Sequence, residues 1–338
     1  MQYVSGKIFK EDGIFKGYLG FDNKKIIEIG KTPPKKPKYK GLIIPSFINS
    51  HTHIGDSFVA EKDIKLPKDI NKLVAPPNGI KHKLLEETSG RQIINGMRNS
   101  INNMIKNGVS TFIDYREGGS IGIKQLKIAL NKKEINSIVL SRPTKIEYKK
   151  TEIDELLKNS DGIGLSSISD WDYSEIKKIS DHAHKRKKIF SIHASERIRE
   201  DIDLILDLKP DFLVHFNKAY DEDLTRVKEN NIPIIICPRS NDFFDVPINF
   251  KKLIEHNITI MLGTDNVMLN SPSILDEIKF LKNKYPKITT RELIKISTYN
   301  PRKALNLKCD ILSPNSIVDF IVLDEKNLNL IFNSIKNI

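Results

Sequence analysis

Short apolar runs rich in β-branched and aromatic residues recur along most of the chain, and stretches of helical spacing separate them. Residues 1–30 alternate apolar and polar positions around Gly6, Glu11-Asp12-Gly13, Gly17, Gly20 and Asp22-Asn23, which predicts short antiparallel hairpins. Residues 31–40, with Pro33, Pro34 and Pro37 among lysines, read as a linker. The run Leu42–Ile48 predicts a buried strand leading into Asn49-Ser50-His51-Thr52-His53. Residues 56–87 show little periodicity and contain Pro67, Pro76-Pro77 and Gly79; a connection of this length predicts a lid. Thr88 or Ser89 can cap a helix running through Met97, Ile101 and Met104 to Gly108.

Further apolar runs follow at Val109–Asp114, Asn136–Arg142, Gly162–Ser167, Lys188–His193, Asp211–His215, Asn231–Cys237 and Ile258–Gly263, with helical patterns between them. Asp172 can cap one such helix, to about Lys187. Strict alternation predicts parallel strands, and eight units from residue 42 to about 306 predict a closed barrel. Ser316–Asp324 and Asn329–Phe332 return to strand patterning and are expected to pair with residues 1–30. The expected fold is thus α/β: a (β/α)8 TIM barrel over 42–307, with a small flanking β-sandwich domain built from both termini, 1–41 and 308–338.

Composition narrows the class. The 338 residues are 39% hydrophobic and 29% charged, enough for a large core. The N-terminus has no signal-peptide apolar region, and no apolar run approaches the ~18 residues of a membrane span, so a cytoplasmic protein is expected. Two cysteines, Cys237 and Cys309, leave no disulfide framework and no Cys-rich zinc site. The net charge of +12 is spread over the whole chain, which reads as a solvated cationic surface rather than a nucleic-acid interface, although anionic substrates remain compatible with it.

Two histidines two apart at a strand end point the same way, so His51 and His53 can reach one ion. His193, His215 and Asp265 also fall at ends of predicted strands, the face on which barrels carry their active sites. Each has a plainer reading alone: rim packing for the histidines, a turn or helix cap for Asp265. Together they make a set of the donors a divalent metal needs. Glu196, three residues after His193, is either a first-turn helix charge or a proton shuttle beside a metal. His182 and His184 lie on a helix, where residues two apart diverge by roughly 200°, and are expected at the surface. Arg116, Glu117, Arg142, Trp171, Arg239 and Asn241 follow strand ends and are candidates for substrate binding. The arginines could clamp a phosphate or carboxylate, or make salt bridges to rim acids. Trp171 could stack on a heterocycle or simply pack, and Cys237 reads as a buried thiol.

The stretches Pro45–His53, His193-Ala-Ser-Glu196, Val214-His215, Cys237-Pro-Arg-Ser-Asn241, Leu262-Gly-Thr-Asp265, Ser297–Leu305 and Asp319–Asp324, in this order, resemble the amidohydrolase superfamily in its cytosine deaminase, adenosine-type deaminase and chlorohydrolase branch. The resemblance implies one divalent metal held by His51, His53, His193 and Asp265, with zinc the default and iron or manganese compatible with the same ligands. The fourth predicted strand lacks the lysine that two-metal members carboxylate. The resemblance further implies that Asp265 accepts the proton of a metal-activated water, that Glu196 protonates a ring nitrogen and later the departing ammonia, and that His215 polarises the attacked centre. The chain departs from the family at Asn315-Ser-Ile-Val318 and Asn266–Asn270, which bears on substrate rather than on metal chemistry.

The function expected is therefore a metal-dependent hydrolase, an aminohydrolase that deaminates a small nitrogen heterocycle, with a homo-oligomer compatible. The alternatives are cyclic amide or carbon–halogen hydrolysis at the same metal, and, from another class, a non-catalytic binding protein on a retained barrel.

Overall fold

The structure, a computed structural model, describes residues 1–62 and 64–337, with side chains through Ile335. Four N-terminal strands come first: β1 (Gln2–Phe9), β2 (Ile14–Phe21), β3 (Ile26–Gly30) and β4 (Tyr39–Pro45). Nine more follow: β5 (Phe47–His53), β6 (Val109–Arg116), β7 (Asn136–Ser141), β8 (Gly162–Leu165), β9 (Ile189–Ala194), β10 (Phe212–His215), β11 (Ile234–Ile236), β12 (Ile260–Leu262) and β13 (Asp265–Asn266). The chain ends in β14 (Phe320–Leu323) and β15 (Leu330–Asn333).

The terminal strands pair into one six-stranded sheet, ordered β15-β14-β4-β1-β2-β3. The expected hairpins are there, β1 antiparallel to β2 and β2 to β3. The apolar run Leu42–Ile48 is not the single strand that its composition suggested. Its first part, through Pro45, belongs to β4, parallel to β1 and antiparallel to β14. After Ser46 the chain changes sheets and enters β5, whose Phe47 pairs with Val109. Both halves are buried, each by a different sheet, so hydrophobicity does not mark the crossing. Arg302 holds it instead: one guanidinium nitrogen donates to the carbonyls of Ser46 (3.1 Å) and Thr298 (3.0 Å), and the other to Asp319 (2.9 Å).

The other sheet is curled and parallel, with nine strands ordered from β12 back to β5 and then β13. Its two ends, β12 and β13, are consecutive in the chain, joined by Gly263-Thr264. β13 pairs with β5, Asp265 opposite Thr52 and Asn266 opposite His53, and the Thr264 amide donates to the His51 carbonyl at 3.0 Å. Asn49 fastens this seam from below, its amide donating to Thr264 Oγ1 (2.8 Å) and accepting from the Thr264 amide (3.2 Å). The strand alternation is visible in the packing. Ile113, Tyr115, Phe212, Val214, Ile235 and Met261 fill the inside of the curl, while Phe112, Leu213, Ile234 and Ile236 pack outward against the helices.

Ser89 and Asp172 cap the helices Gly90–Lys106 and Tyr173–Lys185 as their sequence positions suggest. The 56–87 segment is more structured than its weak periodicity implied, with a buried 3-10 turn at Ile54–Glu61 and short helices at Ile70–Leu73 and Ile80–Glu87. His182 is buried rather than exposed, because Tyr148 (3.3 Å) and Asp154 (3.2 Å) receive its ring nitrogens. Replacing Asn49 by Ala removes two buried hydrogen bonds at the seam, leaving the Thr264 amide to the His51 carbonyl alone and the Thr264 hydroxyl without its donor. Denaturant titration should show a loss of roughly 2–3 kcal/mol, against an expected change near zero for an exposed residue such as Asn99.

Candidate metal centre

His51 and His53 leave the end of β5 on one side, and the seam brings Asp265 across from them. Asp265 Oδ1 lies 3.2 Å from His51 Nε2 and 3.5 Å from His53 Nε2. From β9, His193 places its Nε2 3.2 Å from that of His51. The donor atoms of these four residues all lie within 4.8 Å of one another. Asp265 reaches this position with a left-handed backbone (φ 63°), as do Ser195 (φ 45°) and His215 (φ 72°) at the ends of their strands. Three such turns in non-glycine residues carry strain of the order of 1–3 kcal/mol each, a feature that clusters at functional sites.

The hydrogen bonding of the ring nitrogens tests whether these residues fit a cation. His53 Nδ1 faces the Glu117 carboxylate (2.7 Å) and the Tyr115 carbonyl (3.1 Å), and His193 Nδ1 faces the Leu165 carbonyl (2.7 Å). All three partners are acceptors, so both Nδ1 atoms carry the hydrogen and the Nε2 lone pairs are free for the donor cluster, that of His53 beside Asp265 and that of His193 beside His51. Burial drives His51, His53 and His193 toward the neutral form, His53 down to about 3, with Lys81 adding to the depression there. Burial alone would raise the Asp265 carboxyl, but the hydrogen bond and charge of His51 hold it well below the usual range. Two imidazoles with inward lone pairs, a third whose Nε2 faces Asp265 while its buried Nδ1 has no partner among the described residues, and one carboxylate match what a divalent metal requires.

A second group shares Asp265. Its Oδ2 accepts from Ser240 Oγ (2.6 Å) and lies 3.9 Å from His215 Nε2, which in turn lies 3.4 Å from Glu196 Oε1. Burial pushes the Glu196 carboxyl up, against the opposing effect of His215. Asn241 links the pair, donating to Glu196 (3.2 Å) and accepting from His215 Nδ1 (3.4 Å). Glu200 holds the Ser195 turn that aims Glu196, accepting the Ser195 amide at 2.7 Å and the Ser169 amide at 2.8 Å.

The remaining strand-end candidates divide. Arg142 lines the cavity over the histidines; its Nε is buried and has no hydrogen-bond partner among the described residues. That cavity, about 50 Å³, shares Arg142 and Pro76 with a larger one of about 630 Å³. Arg116 is locked onto Glu117 (3.0 Å) and Asp114 (3.4 Å), and Trp171 donates to Ser166 (2.9 Å); both border the larger cavity. Glu117 serves His53. Arg239 does not line the cavity over the histidines, being held by Glu277 (2.7 Å) and the Ser271 carbonyl (2.7 Å). Sequence reasoning missed Ser240, Glu200, Asp56 and Lys81. Only Ser240 lay within a quoted motif, and the others face the site from segments without strand patterning. Elemental analysis should find about one divalent metal per chain and none in His193→Ala. Ser240→Ala should keep it with affinity roughly tenfold weaker in chelator competition, since its hydroxyl holds Oδ2, the far oxygen of Asp265, and so fixes how the carboxylate is turned.

The sequence profile of the amidohydrolase family matches residues 42–337. An uncharacterized protein of Methanocaldococcus jannaschii is 37% identical over 335 residues, covering 91% of this chain and 84% of its own length. A protein of Archaeoglobus fulgidus, provisionally named an aminohydrolase, is 33% identical over 284 residues, covering 83% and 79%. Among solved structures, an adenosine deaminase of Xanthomonas campestris with bound zinc superposes with a TM-score of 0.75 at 13% identity, over 96% of this chain and 84% of that one. With its profile spanning most of the sequence and its donor residues gathered at the seam, the chain belongs to the amidohydrolase family.

Proposed function

We propose that the protein is a metal-dependent aminohydrolase that releases ammonia from a small nitrogen heterocycle. The observation that carries this reading is the double role of Asp265: one oxygen faces His51 and His53, while the other faces His215 and Ser240. A metal held by His51, His53, His193 and Asp265, zinc being the default and iron or manganese compatible, supplies a Lewis acid that makes water nucleophilic near neutral pH. Asp265 Oδ2 takes the proton from the attacking water. Glu196, whose carboxyl burial shifts toward the protonated form, gives its proton to the ring nitrogen beside the attacked carbon, then helps protonate the leaving amine. His215 Nε2 hydrogen-bonds the attacked centre. In balance, a carbon–oxygen bond forms, the exocyclic carbon–nitrogen bond breaks, and ammonia leaves a ring that keeps the oxygen as a carbonyl.

Among the residues expected to meet substrate, Arg142 and Asn241 are best supported, the first by its unpartnered Nε and the second by its contacts to Glu196 and His215. Arg116, Glu117, Trp171 and Arg239 act at a remove, holding the walls. The reading takes the curled sheet as a closed (β/α)8 barrel that begins with β5 and runs to about residue 307, with β1 to β4 and the strands β14 and β15 as a small flanking β domain. It takes the protein as cytoplasmic, acting on a small molecule rather than on nucleic acid or a membrane, and compatible with a homo-oligomer. Among the described residues, no helix is long and apolar enough to cross a membrane.

Ammonia release across a purine, pyrimidine and pterin panel tests the activity. Glu196→Gln should retain its metal and lose roughly 10²–10⁴ in kcat. Arg142→Met should raise KM by about tenfold or more with kcat little changed. A metal-loaded protein that frees no ammonia but opens cyclic amides or releases halide would replace deamination with the neighbouring hydrolysis.

A further inference from the structure

Lys81 is the only lysine buried among the described residues, and it comes from the inserted helix Ile80–Glu87 rather than from any strand of the curled sheet. Its Nζ lies 2.5 Å from Glu117 Oε1 and 3.7 Å from Asp56 Oδ2. Each of these carboxylates stands behind a different part of the donor set. Glu117 Oε1 accepts the Nδ1 hydrogen of His53 at 2.7 Å. Asp56 accepts from the Asn266 side chain (2.7 Å) and the Met268 amide (3.1 Å), so it fixes the turn that begins at Asp265. One ammonium thus sits between the group that orients His53 and the group that anchors the strand carrying Asp265.

We propose that Lys81 is a positioning residue for the metal centre, and that docking of helix Ile80–Glu87 and retention of the metal are coupled through it. The inference rests on the metal-centre reading above. A carboxylate that bridges a ligand histidine and a buried cation is fixed at both ends; without the cation, Glu117 is left to Arg116, which holds its other oxygen at 3.0 Å, and its grip on His53 loosens. The coupling is reciprocal: whatever the docked helix adds to metal affinity, the metal must return to the docked helix.

Hydrogen exchange on the native protein reads this directly. Removing the metal with a chelator should speed amide exchange across residues 80–87 by about tenfold or more and leave the distant helix Tyr173–Lys185 unchanged; zinc should reverse it. Equal exchange with and without zinc would overturn the proposal. Lys81→Met should bind zinc 10–100-fold more weakly in chelator competition while keeping the helical circular dichroism of the native protein, and Lys81→Arg should recover part of the loss. Should Lys81→Met fail to fold, the exchange experiment decides alone. The loss should also be non-additive: in a Glu117→Gln background, Lys81→Met should weaken zinc binding little further. Unchanged zinc affinity in Lys81→Met, or full additivity, would refute the positioning role. A native protein that binds no zinc would instead remove the metal centre itself.

Discussion

Everything in this molecule hangs on the junction between Gly263 and Asp265. There the chain stops pairing with one edge of the curled sheet and begins pairing with the other, three backbone positions later. The Thr264 amide bonds to the His51 carbonyl, so the crossing from one edge of the curled sheet to the other and the alignment of the metal donors are one event. Gly263 is required at this point: a Cβ there would stand 2.7 Å from that of His51 and 2.9 Å from the His51 amide nitrogen. Pairing of β13 with β5 in another register would leave His51 and His53 in place and turn Asp265 elsewhere, because a shift of one residue reverses the facing of a strand.

The second constraint is charge. Around the donor set the structure buries Asp56, Asp114, Arg116, Glu117, Lys81, Arg142 and Asp265, and half-buries Glu196. Groups of this kind are costly to bury alone and tolerable only when each meets a partner. Most do: Glu117 has Lys81, His53 and Arg116; Asp114 has Arg116, Thr52 and the Ile54 amide; Asp56 has Asn266 and Lys81. Burial still raises Asp56 to about 7, so its negative charge is only partly compensated in this setting. The interior therefore behaves as one electrostatic unit in which the metal donors are the face turned toward the cavity.

The sequence spoke clearly where chemistry and periodicity coincide. His51, His53, His193, His215 and Asp265 each close an apolar run, and strand geometry then aims them. Helix caps at Ser89 and Asp172 were equally local signals. What could not be seen depended on long-range pairing. The sheet change at Ser46 lies inside an unbroken apolar run, because both sides of it are buried. Asp265 reads as the end of one strand, yet it begins a two-residue strand on the opposite edge. Glu117 looked like a pocket wall and proves to be a partner of His53, since the ladder places Tyr115 and Glu117 beside β5 only in three dimensions. Lys81 sits in a stretch with no pattern at all, and nothing short of the folded insert connects it to His53. Arg239 carries a strand-end position like Arg142, but Glu277, on a helix far along the chain, claims its guanidinium.

The filled interior beneath the histidines has a kinetic meaning. Tyr115 lies with its ring 4.2 Å from that of His51, and Phe212, Val214, Ile235 and Met261 occupy the space below. The chamber has no way out through the sheet. A molecule that comes down onto the histidines, and any small fragment cut from it, must depart on the face by which it arrived. Arrival and departure then share one side, and a lingering product occupies the berth of the next substrate. In such an architecture, turnover is governed as much by traffic through the mouth as by bond breaking at the floor.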